Sequence, residues 1–111
     1  MAFSKAKLFD PLSFQQSFWS KALSHPARII ILNYLLENGT TPFREFKKII
    51  PLAPTTISQH LRTLREKELI EAEEKFPHTY YNLNRKNCKD LAIRITDLHL
   101  EYSNLPIYSN R

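Results

Sequence analysis

The sharpest separation of hydrophobic and polar positions along the chain lies in residues 54–66. At the 100° per residue of an α-helix, Ile57, Leu61 and Leu64 fall within one narrow stripe that must be buried. The opposite side carries hydroxyl, amide and guanidinium groups, from Thr55, Thr56, Ser58, Gln59, Arg62 and Thr63. Side chains of this kind contact base edges and phosphates in DNA, although a plain amphipathic surface helix is the alternative interpretation.

A shorter helix of about two turns is predicted just before this segment. Its hydrophobic residues, which alternate with charged ones at helical spacing, are Phe43, Phe46, Ile49 and Ile50. Pro51 ends this pattern, and Pro54 suits the first position of the next helix, where a missing N–H costs nothing. Residues 43–66 therefore predict a helix-turn-helix, whose second helix enters the major groove of DNA by its N-terminal end.

Two further helices are predicted upstream. Aromatic residues at helical spacing indicate the first, over residues 13–23. The nearly all-apolar run after Pro26 indicates a central helix enclosed on most sides, with Ser24 or His25 as its cap. Three consecutive isoleucines also fit a β-strand, but the length of the run and the proline near its start favour a helix that ends at Gly39.

Downstream of the helix-turn-helix, the pattern changes to period 2 with β-favouring residues, which predicts a hairpin, or wing, over residues 69–83. Because no glycine occurs near residues 76–78, we expect a longer loop at the wing tip instead of a tight two-residue turn. Residues 40–42 form a short connection that could pair with the hairpin as a very short additional β-strand. A last helix is predicted over residues 84–104, and residues 1–12 form an N-terminal arm.

Composition narrows the class of protein. A chain of 111 residues fits one domain, and seven Phe, five Tyr and one Trp exceed what one small core needs, which favours a dimer. The net charge of +5 points to a polyanionic partner, although a soluble basic protein with no such partner is the alternative interpretation. A single cysteine excludes an intrachain disulfide framework, and no apolar run is long enough for a signal peptide or membrane span. We therefore expect a soluble cytoplasmic protein with no membrane partner.

Candidate catalytic chemistry is missing from the sequence. We find no glycine-rich phosphate loop, no paired carboxylates in a pocket context and no nucleophile with a nearby base motif, so we expect no catalytic residues. A winged helix that contacts protein or RNA is the alternative to a DNA-binding function, because fold does not fix function.

The sequence resembles a known family. Residues 21–32, which read Lys-Ala-Leu-Ser-His-Pro-Ala-Arg-Ile-Ile-Ile-Leu, are similar to the opening helix of ArsR-type winged-helix repressors. Residues 55–64 resemble the recognition helix of that family, and residues 69–70 and 80–83 resemble its wing strands. The similarity covers about residues 18–102. It implies a mainly α fold with a small β-hairpin, namely a winged helix-turn-helix of about five helices and a two-stranded wing.

The resemblance also implies an assembly. It suggests a homodimer joined through its first and last helices, which acts as a repressor on a pseudo-palindromic operator in double-stranded DNA. These are the two helices with more apolar residues than one small core needs, so the residues and the resemblance agree. The expected interface residues are Phe14, Phe18, Trp19, Leu91, Ile95, Leu98 and Tyr102.

The family's metal sites are not matched. Metal-sensing members carry Cys-x-Cys at the start of the first motif helix, where this chain has Pro42, Phe43 and Arg44, which supply no thiolate. Asp97 and His99 imitate half of a second kind of site, but its other half is missing. We therefore expect no metal and no cofactor, and the sequence does not identify an effector.

Two reactive side chains have structural interpretations. Cys88 lies near a helix start and would be redox-active if its pKa were lowered, but a small core residue is the favoured interpretation. For His60, packing or a structural hydrogen bond is favoured over metal ligation.

The predicted mechanism places two recognition helices in successive major grooves, about 34 Å apart. Gln59 would pair with adenine, and Arg62 with guanine or a phosphate. The cap position, Ala53, has no side-chain oxygen, so the N–H groups at that helix end would face a phosphate. The residues expected to hold the DNA backbone are Thr55, Thr56 and Ser58 at the helix start and Lys47, Lys48, Arg65 and Lys75 at phosphates. At the wing tip, Lys75, His78 and Thr79 would touch a phosphate or the minor groove.

Overall fold

The computed structural model describes residues 8–107, which form five α-helices and a three-stranded sheet. The elements, in order, are α1 (Pro11–Ala22), α2 (Pro26–Asn38), β1 (Thr41–Pro42), α3 (Phe43–Ile49), α4 (Pro54–Glu66), β2 (Ile70–Lys75), β3 (His78–Leu83) and α5 (Arg85–Tyr102). The predicted winged helix-turn-helix is confirmed.

The first helix begins slightly earlier than the sequence predicted. Asp10 caps α1 by accepting a hydrogen bond from the backbone N–H of Ser13 at 2.9 Å, and Pro11 occupies the first helical position. Most of the predicted N-terminal arm, residues 1–7, lies outside the described residues. Asp10 supplies a side-chain cap and Pro11 a fixed φ at the first helical position, which explains the earlier start.

The sheet is antiparallel with the order β1-β3-β2, so the short β1 adds the expected extra rung beside the hairpin. The longer loop predicted at the wing tip is wrong, because the last ladder pair, Lys75 with His78, leaves a two-residue turn. This turn consists of Phe76 and Pro77, joined by a cis peptide bond. Two residues are enough to reverse the chain between the paired strands, so the absence of glycine does not lengthen the loop.

The core lies between the helices and the inner face of the sheet. Phe46 of α3 is fully buried, and its ring meets the rings of Tyr34 and Tyr81 edge-on at 5.9 and 6.1 Å between centroids. The buried hydrophobic residues are Trp19, Ala22, Ala27, Ile31, Leu35, Phe46, Ile50, Ile57, Leu61, Leu64, Leu69, Ile70 and Leu91.

The central helix α2 is less enclosed than its sequence suggested. Its buried residues follow one stripe only, while Ile29, Ile30 and Leu36 remain exposed. The expectation of a helix covered on most sides is therefore wrong for the described chain, because its elements cover a single face of α2. The helix ends as predicted at Gly39, whose φ of 73° suits a residue without a side chain.

A Schellman motif ends α4 and turns the chain into the wing. The N–H of Leu69 donates to the carbonyl oxygen of Leu64, and the N–H of Glu68 donates to that of Arg65. Glu68 holds the positive φ of 59° that such a cap requires. Leu64 and Leu69 are both fully buried, which supplies the hydrophobic contact that accompanies the motif.

Two histidines and an arginine connect α2 to α4. The Nε of Arg28 donates to Nδ1 of His60 at 3.2 Å, and the His25 and His60 rings lie 4.2 Å apart between centroids. Nδ1 of His25 accepts from the backbone N–H of Ala27 and thereby caps α2. Burial lowers the pKa of His60 below its ordinary value of 6.5, and the neighbouring His25 and Arg28 lower it further. The favoured interpretation of His60 as a structural residue agrees with these contacts.

The first and last helices extend beyond the core. The indole N–H of Trp19 donates to the carbonyl oxygen of Lys67 at 3.2 Å, which ties α1 to the end of α4. Along α5, Leu91 is the buried residue, and Arg94 donates to the side-chain oxygen of Gln15 in α1 at 3.3 Å. The described residues have a radius of gyration of 16.8 Å, against about 13 Å for a compact domain of this size.

Leu61 lies on the buried side of α4. The variant Leu61→Ala should lower the free energy of unfolding by about 2–5 kcal/mol, because the shorter side chain leaves a cavity in the core. Leu36→Ala, at a residue that is 70% exposed, should change this free energy by less than about 0.5 kcal/mol. Urea denaturation followed by circular dichroism, at one protein concentration, measures both. Equal losses in the two variants would contradict the assigned burial.

The low pKa of His60 makes stability depend on pH. In the unfolded chain, His60 has its ordinary pKa of 6.5, so it takes up a proton at a higher pH than it does in the folded chain. As the pH drops below 6.5, the unfolded chain therefore binds more protons than the folded chain, and the free energy of unfolding should fall. His60→Asn, which keeps an acceptor for Arg28, should weaken this dependence, whereas His99→Asn on the exposed side of α5 should retain it. Urea midpoints at several pH values between about 5.5 and 7.5 test this. An unchanged slope in His60→Asn would refute it.

Candidate nucleic-acid interface

The outward face of α4 is available to a ligand. Ile57, Leu61 and Leu64 are buried, which fixes the helix, and Thr56 is half-buried at the edge of the core. The exposed polar residues on the other side are Thr55, Ser58, Gln59, Arg62 and Arg65. The structure therefore brings Gln59 and Arg62, the residues predicted to contact bases and called the reading residues below, onto one solvent-facing surface with Thr55 and Ser58.

The N-terminal end of α4 has an open cap. Ala53 occupies the cap position without a side-chain hydrogen bond, as the sequence predicted, and Pro54 opens the first turn. The N–H groups of the first turn have no partner within the helix, and the helix dipole adds partial positive charge at the same end. This end of the helix is suited to an anionic group.

A cleft of about 420 Å³ separates α4 from the wing tip. The residues that line it come from α3, α4 and the hairpin, and they are Phe43, Arg44, Lys47, Ser58, Pro77, His78, Thr79 and Tyr81. Arg44 is not among the DNA contacts predicted from the sequence, where it stands only at a position that corresponds to a metal ligand of the family. Its spacing from Lys47, one helical turn further along α3, was the signal that could have identified it.

Two of the predicted phosphate contacts have acidic neighbours. The ammonium of Lys48 lies 3.2 Å from a carboxylate oxygen of Glu45, and that of Lys75 lies 3.9 Å from Glu73. Exposed pairs of this kind contribute about 0–1 kcal/mol, so a phosphate can displace the carboxylate. Lys47 instead lies over the Phe43 ring at 5.7 Å, with no acidic partner among the described residues.

The predicted dimer-interface residues differ in their exposure to solvent. Trp19 and Leu91 are packed in the core of the protomer and offer almost no area to a second subunit. Phe18 is half-buried beneath the ammonium of Lys67, which lies 4.1 Å from its ring centroid. The exposed members, with their exposed fractions, are Phe14 (41%), Ile95 (48%), Leu98 (43%) and Tyr102 (59%).

The candidate ligating residues are not brought together. The described residues contain no group of three or more His, Cys, Asp or Glu side chains that could hold a metal ion. Asp97 is exposed and lies 3.7 Å from Arg94 in the same helix. Cys88 is half-buried, its Sγ donates to the carbonyl oxygen of Leu69 at 3.3 Å, and burial raises the pKa of its thiol. Over residues 8–107, no helix is long and apolar enough to cross a membrane.

The sequence and the fold are similar to those of bacterial regulators. The sequence profile described as "Bacterial regulatory protein, arsR family" matches residues 25–72. The HTH-type transcriptional regulator YgaV of Escherichia coli K12 is 32% identical over 79 residues, which cover 71% of this chain and 80% of YgaV. The arsenical resistance operon repressor of Bacillus subtilis 168 is 31% identical over 78 residues, covering 70% and 72% of the two chains.

Among solved structures, HlyU from Vibrio cholerae superposes with a TM-score of 0.67 at 25% identity, covering 86% of this chain and all of that chain. Fold, motif order and sequence identity therefore lead to the same assignment. The chain belongs to the ArsR family of bacterial DNA-binding transcriptional regulators.

Proposed function

We propose that this chain is a homodimeric repressor that binds a pseudo-palindromic operator through the outward face of α4. The observation that carries the proposal is the division of α4 into a buried stripe, which fixes the helix, and an exposed face that holds Gln59 and Arg62. A rigid helix with polar side chains on one side is what direct readout in the major groove requires. Because a repressor acts on the chromosome, the proposal places the chain in the cytoplasm.

The reading residues have distinct roles in this proposal. Gln59 makes paired hydrogen bonds with the N6 and N7 groups of adenine, and Arg62 with O6 and N7 of guanine. Thr55, Thr56 and Ser58 hold the DNA backbone at the start of α4, where the open cap at Ala53 leaves N–H groups for a phosphate.

Basic residues around α4 supply affinity that is independent of sequence. Lys47 and Arg44 line the cleft beside α4 and Arg65 is exposed on α4 itself, so these three are the principal phosphate contacts. Lys48 and Lys75 exchange their carboxylate neighbours for phosphates, and His78 approaches the duplex from the wing tip.

The proposed dimer uses the exposed apolar residues of α1 and α5. Phe14, Ile95, Leu98 and Tyr102 leave apolar area in water, and their burial against a second copy is favourable by about 25 cal/mol per Å². The elongated shape of the protomer is consistent with a face that a partner completes. The pairing sets the two α4 helices about 34 Å apart, one turn of the duplex.

The proposed repressor does not sense metals through the thiolate site of its family. Pro42 and Arg44 stand where metal-sensing members have cysteines, and Cys88, the one cysteine of the sequence, is engaged with Leu69. A response to arsenicals, which the name of the Bacillus subtilis relative suggests for that protein, would need a ligand set that this chain does not supply at that position.

Replacement of the reading residues should remove operator preference. Gln59→Ala and Arg62→Ala should each lower the ratio of operator to random-duplex affinity by about five- to 150-fold, the range for one lost bidentate contact. Lys47→Ala should weaken both affinities and reduce the slope of log K against log[salt] by about 0.9. Mobility shifts with fragments selected from the source genome measure these values, with Arg85→Ala on α5 as the control. Full discrimination in both reading variants would contradict the proposal.

A charge on the exposed face of α5 should dissociate the proposed dimer. Leu98→Glu places a carboxylate where the partner would pack, so sedimentation should show monomers and operator affinity should fall by at least tenfold, about 1.4 kcal/mol. Leu36→Glu adds the same charge at an exposed leucine of α2 and should leave both properties unchanged. Dimers that persist in Leu98→Glu, with normal operator binding, would exclude this interface.

A further inference from the structure

The most exposed aromatic ring in the described chain lies at the tip of the wing. Phe76 is 98% exposed, because the two-residue turn that it forms with Pro77 projects beyond the last ladder pair and offers the ring no packing surface. An aromatic ring held in water at the end of a structured hairpin has its apolar area available for a partner.

The charges of the wing limit what that partner can be. The stem carries Glu71, Glu73 and Glu74, which repel a polyanion, whereas the last ladder pair before the turn is Lys75 with His78. Both of these side chains lie against Tyr80, with 5.9 Å from the Lys75 ammonium to the ring centroid and 6.3 Å between the His78 and Tyr80 rings. Within the wing, only the tip is therefore suited to contact DNA.

The position of the tip relative to α4 selects a groove. Pro77 and His78 line one side of the cleft whose other sides are formed by Ser58 of α4 and by Arg44 and Lys47 of α3. If one DNA strand followed this basic cleft with α4 in the major groove, the wing tip on the other side of that strand would face the minor groove, because a phosphate backbone separates the two grooves.

We propose that Phe76 is a minor-groove wedge, which enters the duplex beside the bases that α4 reads and partly unstacks one base step. This inference rests on the proposed operator binding and adds a specificity determinant that makes no hydrogen bond to a base. Apolar side chains that enter the minor groove unstack base steps in this way. Pyrimidine–purine steps unstack at the lowest cost, so the operator should carry such a step at a fixed distance from the α4 contacts.

The test begins with in vitro selection of 40-base-pair duplexes by the full-length wild-type chain and by Phe76→Ala. The wild-type set should contain the fixed pyrimidine–purine step, and the Phe76→Ala set should lack it while retaining the positions read by α4.

On a duplex selected by the wild type, Phe76→Ala should bind about tenfold more weakly, because the ring is no longer buried, and the slope of log K against log[salt] should be unchanged. Phe76→Leu, which stays apolar, should retain most of the affinity, and Lys47→Ala is the comparison that does change the slope.

Fluorescence reports the wedge directly. With 2-aminopurine placed in the selected step, wild-type binding should raise its fluorescence, and Phe76→Ala at saturating concentration should not. The wedge would be overturned if Phe76→Ala bound the selected duplex within twofold of wild type, or if 2-aminopurine fluorescence stayed unchanged with both proteins. It would also be overturned if Phe76→Ala changed the self-association of the chain and left its DNA affinity unchanged. A wild-type chain that selects no sequence would instead refute the proposed operator binding itself.

Discussion

Burial of Ile57, Leu61 and Leu64 is the interaction on which the rest of the structure depends. These side chains insert one side of α4 into the core, beside Phe46 of α3 and Leu69 at the start of the wing. The opposite side of the helix is thereby fixed in space before any ligand arrives. A rigid reading surface does not need to be ordered on binding, so its hydrogen bonds are available for discrimination between bases.

The contacts that hold α4 also connect it to the faces proposed for dimerisation. Trp19 of α1 holds the carbonyl of Lys67, where α4 ends, and Arg28 of α2 donates to His60 on α4 and to the carbonyl of Lys21 in α1. Since α1 is joined to the end of α4 directly through Trp19 and indirectly through Arg28, the packing of α1 in the proposed dimer would set the separation of the two α4 helices. The proposed partner interface and the proposed DNA register are therefore mechanically linked.

Much of this fold follows from sequence periodicity, because the spacing of apolar residues identifies both the type of element and the face that it buries. The helix-turn-helix and wing were predictable for that reason. Periodicity does not tell whether a stripe packs against its own domain or a partner, and so Trp19 and Leu91 were assigned to an interface although the core contains them. The pairing of His25 with His60 joins residues distant in sequence, and the cis peptide at Pro77 is a backbone state that composition does not report. The cleft position of Arg44 likewise exists only once α3 and the wing are in place.

Dimethyl sulfate protection of a selected operator tests the central claim most directly, because the reagent methylates guanine N7 in the major groove, where α4 is proposed to lie. We expect two clusters of protected guanines whose centres are about 10 base pairs apart, one for each α4 helix of the proposed dimer. Unprotected major-groove guanines throughout a bound operator, or one cluster alone, would contradict it.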